Sequence, residues 1–261
     1  LAYKEAWDSI ISAPVLSKLC GIALHGDVTD KTVDVRDKQT FLLGIRTNLK
    51  TYTPTAPDAV LPALADISAY LYNDKDTDPL IKAALVHYQF EMIHPFERYN
   101  GIVGRIIVPM ILCNIVREAK PLICLSEYLY HNKNEYFDLL RTTQYSGGYI
   151  RWIKFFVNAI GEAAKRSAGL FTRYENAIAE DEKMLDNTKS QAKSVWKLYN
   201  NLKRFPLSST AYAKEQTGLS FNTVSKVFEI LKSMNIVEQQ ENNSRNRIWK
   251  CLKLELVLDE S

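Results

Sequence analysis

The sequence predicts a mainly α-helical chain: a helical bundle with one short β-hairpin, followed by a smaller helix-turn-helix unit that ends in a second hairpin. Three observations predict this. Apolar residues recur at three- and four-residue intervals over most of the first two thirds of the chain. Only one stretch there, between residues 39 and 55, reads as β. Beyond residue 190 the pattern and the charge both change: residues 188–261 hold 12 Lys+Arg against 7 Asp+Glu, whereas residues 1–187 hold 21 against 23. With 261 residues, 46% of them hydrophobic, the chain can bury a sizeable core. The net charge of +3 is too small to imply a polyanion partner for the whole protein. No run approaches the ~20 apolar residues of a membrane span, and no signal peptide is visible; the expected location is the cytoplasm.

The first helix is predicted from Ala2 to about Cys20. "QTFLLGI" (Gln39–Ile45) and "KTYTPT" (Lys50–Thr55) flank a turn candidate at residues 46–49 and predict the hairpin. Helices follow over Asp58–Tyr72 and Pro79–Ile93, the second opening on Asp78-Pro79, an N-cap with proline at the first helical position. Ile102–Val116, apolar on nearly all sides from Ile106, predicts a central helix buried all round. Glu127–Thr142 and Tyr149–Met184 complete the set, with Trp152, Phe155 and Phe156 as core. The first domain is placed at residues 1–180, a polar linker at 181–190 and the second domain at 191–261.

The second domain predicts a helix over Gln191–Lys203, a short one over Thr210–Gln216, a turn at Gly218 and an amphipathic helix from Ser220 through Met234. "IVEQQENNSRNRIWKCL" then supplies a hairpin. This resembles a winged helix-turn-helix, in which Ser220, Asn222, Thr223 and Lys226 would begin the recognition helix and Arg245 and Arg247 would lie on the wing as candidate DNA contacts. The alternative is that the module packs or binds protein.

Cys20, Cys113, Cys124 and Cys251 are widely spaced among apolar neighbours and predict buried thiols, not a disulfide or zinc framework. No metal cluster is expected. His87 is expected to be a hydrogen-bonded core histidine, and His25 and His131 to lie in polar turns.

The stretch that carries chemistry is "MIHPFERYNGIVGR" (residues 92–105). Pro95 disfavours the α conformation at His94, so a helix ends there and sets an imidazole at its terminus. Phe96 is expected to turn into the core. The loop through Gly101 feeds the next helix, whose first amides and dipole favour an anion, and Arg105 lies one turn inside.

"HPFERYNGIVGR" resembles the Fic motif: His-Pro-Phe, any residue, Asp or Glu, Gly, Asn, Gly, Arg, two residues, Arg. His94, Pro95, Phe96, Asn100, Gly101 and Arg105 match. The flanks agree, so the first part is expected to be a Fic-type helical bundle with a β-hairpin flap. The resemblance implies transfer of AMP from ATP to a hydroxyl of a target protein. His94 would be the general base, Asn100 and Gly101 would hold the α and β phosphates, and Arg105 the far phosphate. Lys50, Thr51, Tyr52 and Thr53 would sit on the flap that aligns the target by strand addition. The expected partners are an unidentified target protein and, through the winged helix, DNA; no membrane is expected, and a homodimer stays open.

Three positions depart from the motif. Arg98 stands where an acidic residue should bind Mg²⁺, which makes that metal doubtful, though Arg98 could itself contact phosphate. Tyr99 replaces a glycine, so freedom at positive φ is expected to be lost. Ile102 replaces the first arginine, a contact worth ~1.5–3 kcal/mol. The inhibitory Ser/Thr-x-x-x-Glu helix of many Fic proteins has no match, since "FTRYEN" places its hydroxyl one position off. The sequence therefore leaves open an active transferase with altered nucleotide or metal demand, an impaired pseudoenzyme, and a DNA-binding regulator whose Fic core senses a ligand.

Overall fold

A computed structural model describes residues 11–25, 31–43, 50–115, 123–186, 193–240 and 247–259. Backbone contacts divide the chain into two units, residues 1–167 and 168–261.

In the first unit, α1 (Ala13–His25), α2 (Pro57–Asn73), α3 (Pro79–Ile93), α4 (Asn100–Ile115), α5 (Leu125–His131), α6 (Lys133–Ser146) and the first half of α7 (Tyr149–Asp186) share one apolar core. Strands β1 (Leu42–Leu43) and β2 (Lys50–Tyr52) form the expected hairpin, antiparallel with an irregularity between Leu42 and Leu43. The predicted hairpin turn and the beginning of the first predicted helix lie outside the described residues.

The most enclosed helix is α3. Its N-cap Asp78 accepts a hydrogen bond from the Leu80 amide, Pro79 occupies the first turn, and the Phe90 carbonyl accepts from the His94 amide at the other end. Most of it is buried, from Ala83, Val86 and Phe90 to the polar Lys82, His87 and Glu91, while Gln89 is exposed and Leu85 and Met92 are half-buried along one face. Those buried polar side chains mask its character in the sequence, where α4 looks the more apolar. On α4, Ile102 is 38% exposed and Ile106, Met110 and Leu112 are only half-buried, so α4 is not buried all round as expected. Trp152 and Phe156 are fully enclosed, and Trp152 Nε1 donates to the Ala84 carbonyl at 2.8 Å. Asn132, at φ −105°, divides the single helix predicted over Glu127–Thr142 into α5 and α6.

The second unit takes in the later turns of α7, then α8 (Lys193–Leu202), β3 (Leu207–Ser209), α9 (Thr210–Thr217), α10 (Phe221–Ser233), β4 (Val237–Gln239), β5 (Ile248–Cys251) and α11 (Leu252–Asp259). The three strands form an antiparallel sheet in the order β3-β5-β4. Strand β3 and helix α11 are absent from the sequence reading because three and eight residues carry too little pattern to register. Asp181–Asp186, placed by composition in a linker, are helical. Asp181 is buried, paired through Oδ1 with Lys253 at 3.2 Å and accepting at Oδ2 from the Tyr199 hydroxyl at 3.2 Å. Polarity there reflects an internal ion pair, not solvation. Of the cysteines, Cys20 and Cys251 are buried and Cys113 half-buried, but Cys124 is exposed at the residue preceding α5; all four are free thiols.

Among the described residues of the first unit Gly21 is the tightest glycine: a Cβ there would lie 2.0 Å from the Lys31 carbonyl oxygen. The segment after α1 is thereby drawn against the helix, and Val33 N–H donates to the Ser17 carbonyl at 3.1 Å. Gly21→Ala is expected to destabilise the protein by ~1–3 kcal/mol, seen as a lower midpoint in urea unfolding, because backbone has to yield.

Candidate functional site

The site is built at the end of α3. His94 takes left-handed φ 51°, ψ 63°, and Pro95 and Phe96 are buried beyond it. What holds this turn is Arg36, a residue the sequence reading passed over. Its Nε donates to the His94 carbonyl at 2.8 Å, and Nη2 to the Ile93 carbonyl at 3.1 Å and to the Thr55 carbonyl. Its Nη1 donates to the Lys38 carbonyl at 3.0 Å, and its amide to Pro95 O at 2.9 Å. Arg36 is 4% exposed. A buried cation here faces the carbonyl end of α3, where the helix dipole is negative, so its charge is met without a carboxylate. The same fork joins the exit of β2 to the His94 turn. The Tyr52 hydroxyl donates to the Met92 carbonyl, a second tie between flap and α3, and burial pushes the Tyr52 phenol up to about 12.

The His94 imidazole is largely buried, with no hydrogen-bond partner at Nδ1. Burial lowers its pKa to about 4, the Glu91 carbonyl opposing the shift and the Arg36 charge adding to it. It is therefore neutral at pH 7, the form a general base requires.

The loop from His94 to α4 is braced by Asn100. The Asn100 amide donates to the Phe96 carbonyl at 2.7 Å and its oxygen accepts from the Phe96 amide at 2.9 Å. Asn100 is 2% exposed. Both polar atoms of its side chain bond within the loop in this structure. The Cys20 thiol donates to the Arg98 carbonyl at 3.6 Å and ties the loop to α1. Tyr99 adopts φ 66° although it is not glycine. The conformation expected to be lost is kept at a strain of ~1–2 kcal/mol, offset by packing of the ring against the core. The helix starts at Asn100, two residues earlier than its expected start, because the Tyr99 carbonyl accepts from both Ile102 and Val103 at 3.0 Å.

Gly101 therefore lies in the first turn of α4. A Cβ on it would sit 3.2 Å from Arg105 Nη1, so the guanidinium rests alongside the bare glycine. Arg105 Nε donates to Ser126 Oγ at 3.0 Å. Amides, dipole and guanidinium together make a positive corner next to a neutral imidazole. Glu97 and Arg98 are exposed on the loop, and Ile102 is half-exposed. Among the described residues no group of three or more His, Cys, Asp or Glu side chains could hold a metal. An Arg98 guanidinium in the acidic position does not fit Mg²⁺.

Glu91 is the second residue the sequence reading missed. It is 8% exposed, and a Cβ at Gly104 would lie 2.5 Å from its Oε1. Burial raises its pKa to about 7, Arg105 opposing. His87 lies beside it, with Nδ1 against the Gly104 carbonyl and Nε2 against the Tyr136 hydroxyl, both at 3.0 Å, stacked on Phe156 at 4.5 Å. A carbonyl only accepts, so Nδ1 carries a proton, and burial lowers the pKa to about 4, which leaves the ring neutral at pH 7. His87 is a core histidine. On the flap, Lys50–Tyr52 form β2 and Thr53 is exposed.

In the second unit Ser220 caps α10, its hydroxyl accepting from Thr223 N at 3.1 Å and lying 2.8 Å from the Thr223 hydroxyl. Asn222 and Lys226 are exposed, and Arg247 pairs with Glu229 at 3.6 Å. Arg245 lies outside the described residues.

Comparison with known proteins bears on this geometry. Residues 21–112 match the model of the Fic/DOC family. Over 64 residues, 23% of this chain, the sequence is 41% identical to protein adenylyltransferase fic-1 of Caenorhabditis briggsae. Over 61 residues it is 39% identical to probable protein adenylyltransferase aq_aa38 of Aquifex aeolicus. These matches span only 12% and 19% of those two relatives. The crystal structure of a Fic family protein from Desulfovibrio desulfuricans G20 superposes with a TM-score of 0.50 at 20% identity, covering 96% of this chain and 72% of that one; this likeness speaks to the fold.

Strain at Tyr99 is testable by paired substitution. Both Tyr99→Gly and Tyr99→Ala lose the ring, but only glycine relaxes at positive φ. Tyr99→Gly is expected to unfold later in denaturant than Tyr99→Ala by about 1 kcal/mol.

Proposed function

Residues 21–112 are a Fic/DOC domain, and from that premise we propose that this protein is an adenylyltransferase that moves AMP from ATP to a hydroxyl side chain of another protein. The observation that carries the proposal is the pairing of a neutral, largely buried His94 with the positive corner of Gly101 and Arg105 at the start of α4. In this reading His94 removes the proton from the target hydroxyl, and that oxygen attacks the α-phosphorus of ATP. The bond to pyrophosphate breaks, and pyrophosphate leaves with the charge. The amide of Gly101 and the Arg105 guanidinium hold the phosphates. Strand β2 offers its edge to the extended target segment. Arg98 occupies the position that would bind Mg²⁺, and its positive charge does not fit that metal. The presence of the motif histidine beside an altered loop favours a transferase with changed metal demand over a chain that has lost its chemistry.

The test is incubation of the full chain with ATP labelled at the α-phosphate and candidate target proteins. Label transfer is expected with the parent and not with His94→Ala. Arg105→Ala should weaken ATP binding by ~10- to 100-fold in calorimetric titration. The acid limb of kcat/KM should fall near pH 4, not near 6.5, since a base is lost only as pH drops through its folded pKa. Transfer that survives His94→Ala would refute the assignment.

A second reading concerns the other unit. The order α8, β3, α9, α10, β4, β5 is that of a winged helix, and the exposed Asn222 and Lys226 on α10 favour DNA contact there. Lys226→Ala is expected to weaken duplex binding and to lower its salt dependence by about one unit of slope. Equal binding by both proteins would remove this reading.

A further inference from the structure

Beneath the first turns of α4 lies a buried carboxyl that the proposed reaction leaves unused. Glu91 is 8% exposed, and its Oε1 has no hydrogen-bond partner. It is aimed at the glycine face of α4. An added Cβ would lie 2.5 Å from this oxygen at Gly104 and 3.9 Å from it at Gly101. The same Gly101 position is 3.2 Å from Arg105 Nη1. Carboxyl and guanidinium thus both approach Gly101 without forming an ion pair, while Ser126 holds the guanidinium by Nε.

We propose that Glu91 is a positioning residue for Arg105, and that a polyphosphate bound at the start of α4 displaces its negative charge from the guanidinium, so that binding takes up the part of a proton that this carboxyl lacks in the free protein. The proposal deepens the adenylyltransferase reading and rests on it for the identity of the anion. Its physical basis is competition. One guanidinium cannot lean fully toward both a carboxylate and a phosphate, and two negative groups near it cannot both stay ionised in a buried setting. The free carboxyl already titrates high, raised to about 7 by burial with Arg105 opposing. The groups around it do not titrate in this range. His87 on α3 is held neutral, its pKa lowered to about 4 by burial. Tyr136 on α6 is raised well above its ordinary value by burial, Glu91 adding to the shift. His94 at the end of α3 is lowered to about 4. Trp152 and Phe156 of α7 carry no charge. On α1, burial raises the Cys20 thiol. Arg36 is a fixed cation bonded to the carbonyls of Ile93 and His94. Glu91 is therefore the group near Arg105 able to exchange a proton at neutral pH.

The experiment is calorimetric titration of the full chain and of Glu91→Gln with ATP and, separately, with inorganic tripolyphosphate. It is done at pH 6, 7 and 8, in buffers of different ionisation enthalpy. Both ligands titrate near pH 7 themselves, so the reading is the difference between the two proteins. The parent is expected to take up more protons than Glu91→Gln at pH 7, and to lose about tenfold more affinity between pH 6 and pH 8, as the protonated fraction falls. A purely structural role for Glu91 would shift affinity equally at every pH. Glu91→Gln keeps the shape of the protonated acid, and circular dichroism checks that it folds. ATP binding with the same proton count in both proteins overturns the proposal and leaves the ATP reading standing. Proton-linked binding of tripolyphosphate without any preference for ATP supports the proposal and removes ATP as the ligand. Binding of neither ligand overturns both.

Discussion

The structure of the candidate site depends on one buried cation meeting one helix end. Arg36 arrives from the segment after α1 and places its guanidinium over the last carbonyls of α3. A buried arginine without a carboxylate would ordinarily be unfavourable. Here the carbonyls left over at a helix C-terminus need donors, and the planar fork supplies several at once. The contact fixes the left-handed turn at His94, and it draws in Thr55 from the flap side and Lys38 from its own loop. The His94 turn, the loop after it and the exit of β2 are thus held by a residue that belongs to none of them.

Around that point, tolerance and intolerance are separated in space. Asn100 is enclosed and clamps Phe96 at both polar ends of its amide. Gly104 cannot carry a side chain without striking Glu91. These positions match what the loop needs in order to fold. Arg98 and Ile102, two of the three departures from the motif, lie at exposed positions where a change of side chain alters what a ligand meets and leaves the packing alone. Tyr99, the third, takes the backbone shape of the glycine it replaces, because its neighbours over-determine the turn. The loop therefore keeps its course while its chemistry changes, which is why altered metal demand is a more economical reading than collapse of the site.

Much of the first unit was legible. Helix α3 was readable to both ends because Asp78-Pro79 and His94-Pro95 are local signals, each acting within a few residues. Phe96, His87, Trp152 and Phe156 followed from apolar context. Glu91 and Arg36 were not legible. A glutamate on a helix reads by default as solvent-exposed, and an arginine in a loop as surface charge; their burial depends on partners remote in sequence, Gly104 for Glu91 and Thr55 and Ile93 for Arg36. Asp181 was misread for the same reason, since its partners Lys253 and Tyr199 are remote in sequence.

The sequence by itself determined the helical class, the ends of α3, the first hairpin and the match to the Fic motif, because periodicity, capping and motif spacing are short-range properties. Tertiary structure decided which polar groups are buried, where the helix after the loop begins, and which charges face each other at Gly101. Those outcomes depend on desolvation and on hydrogen bonds between segments far apart in the chain, and no local pattern of residue types carries that information.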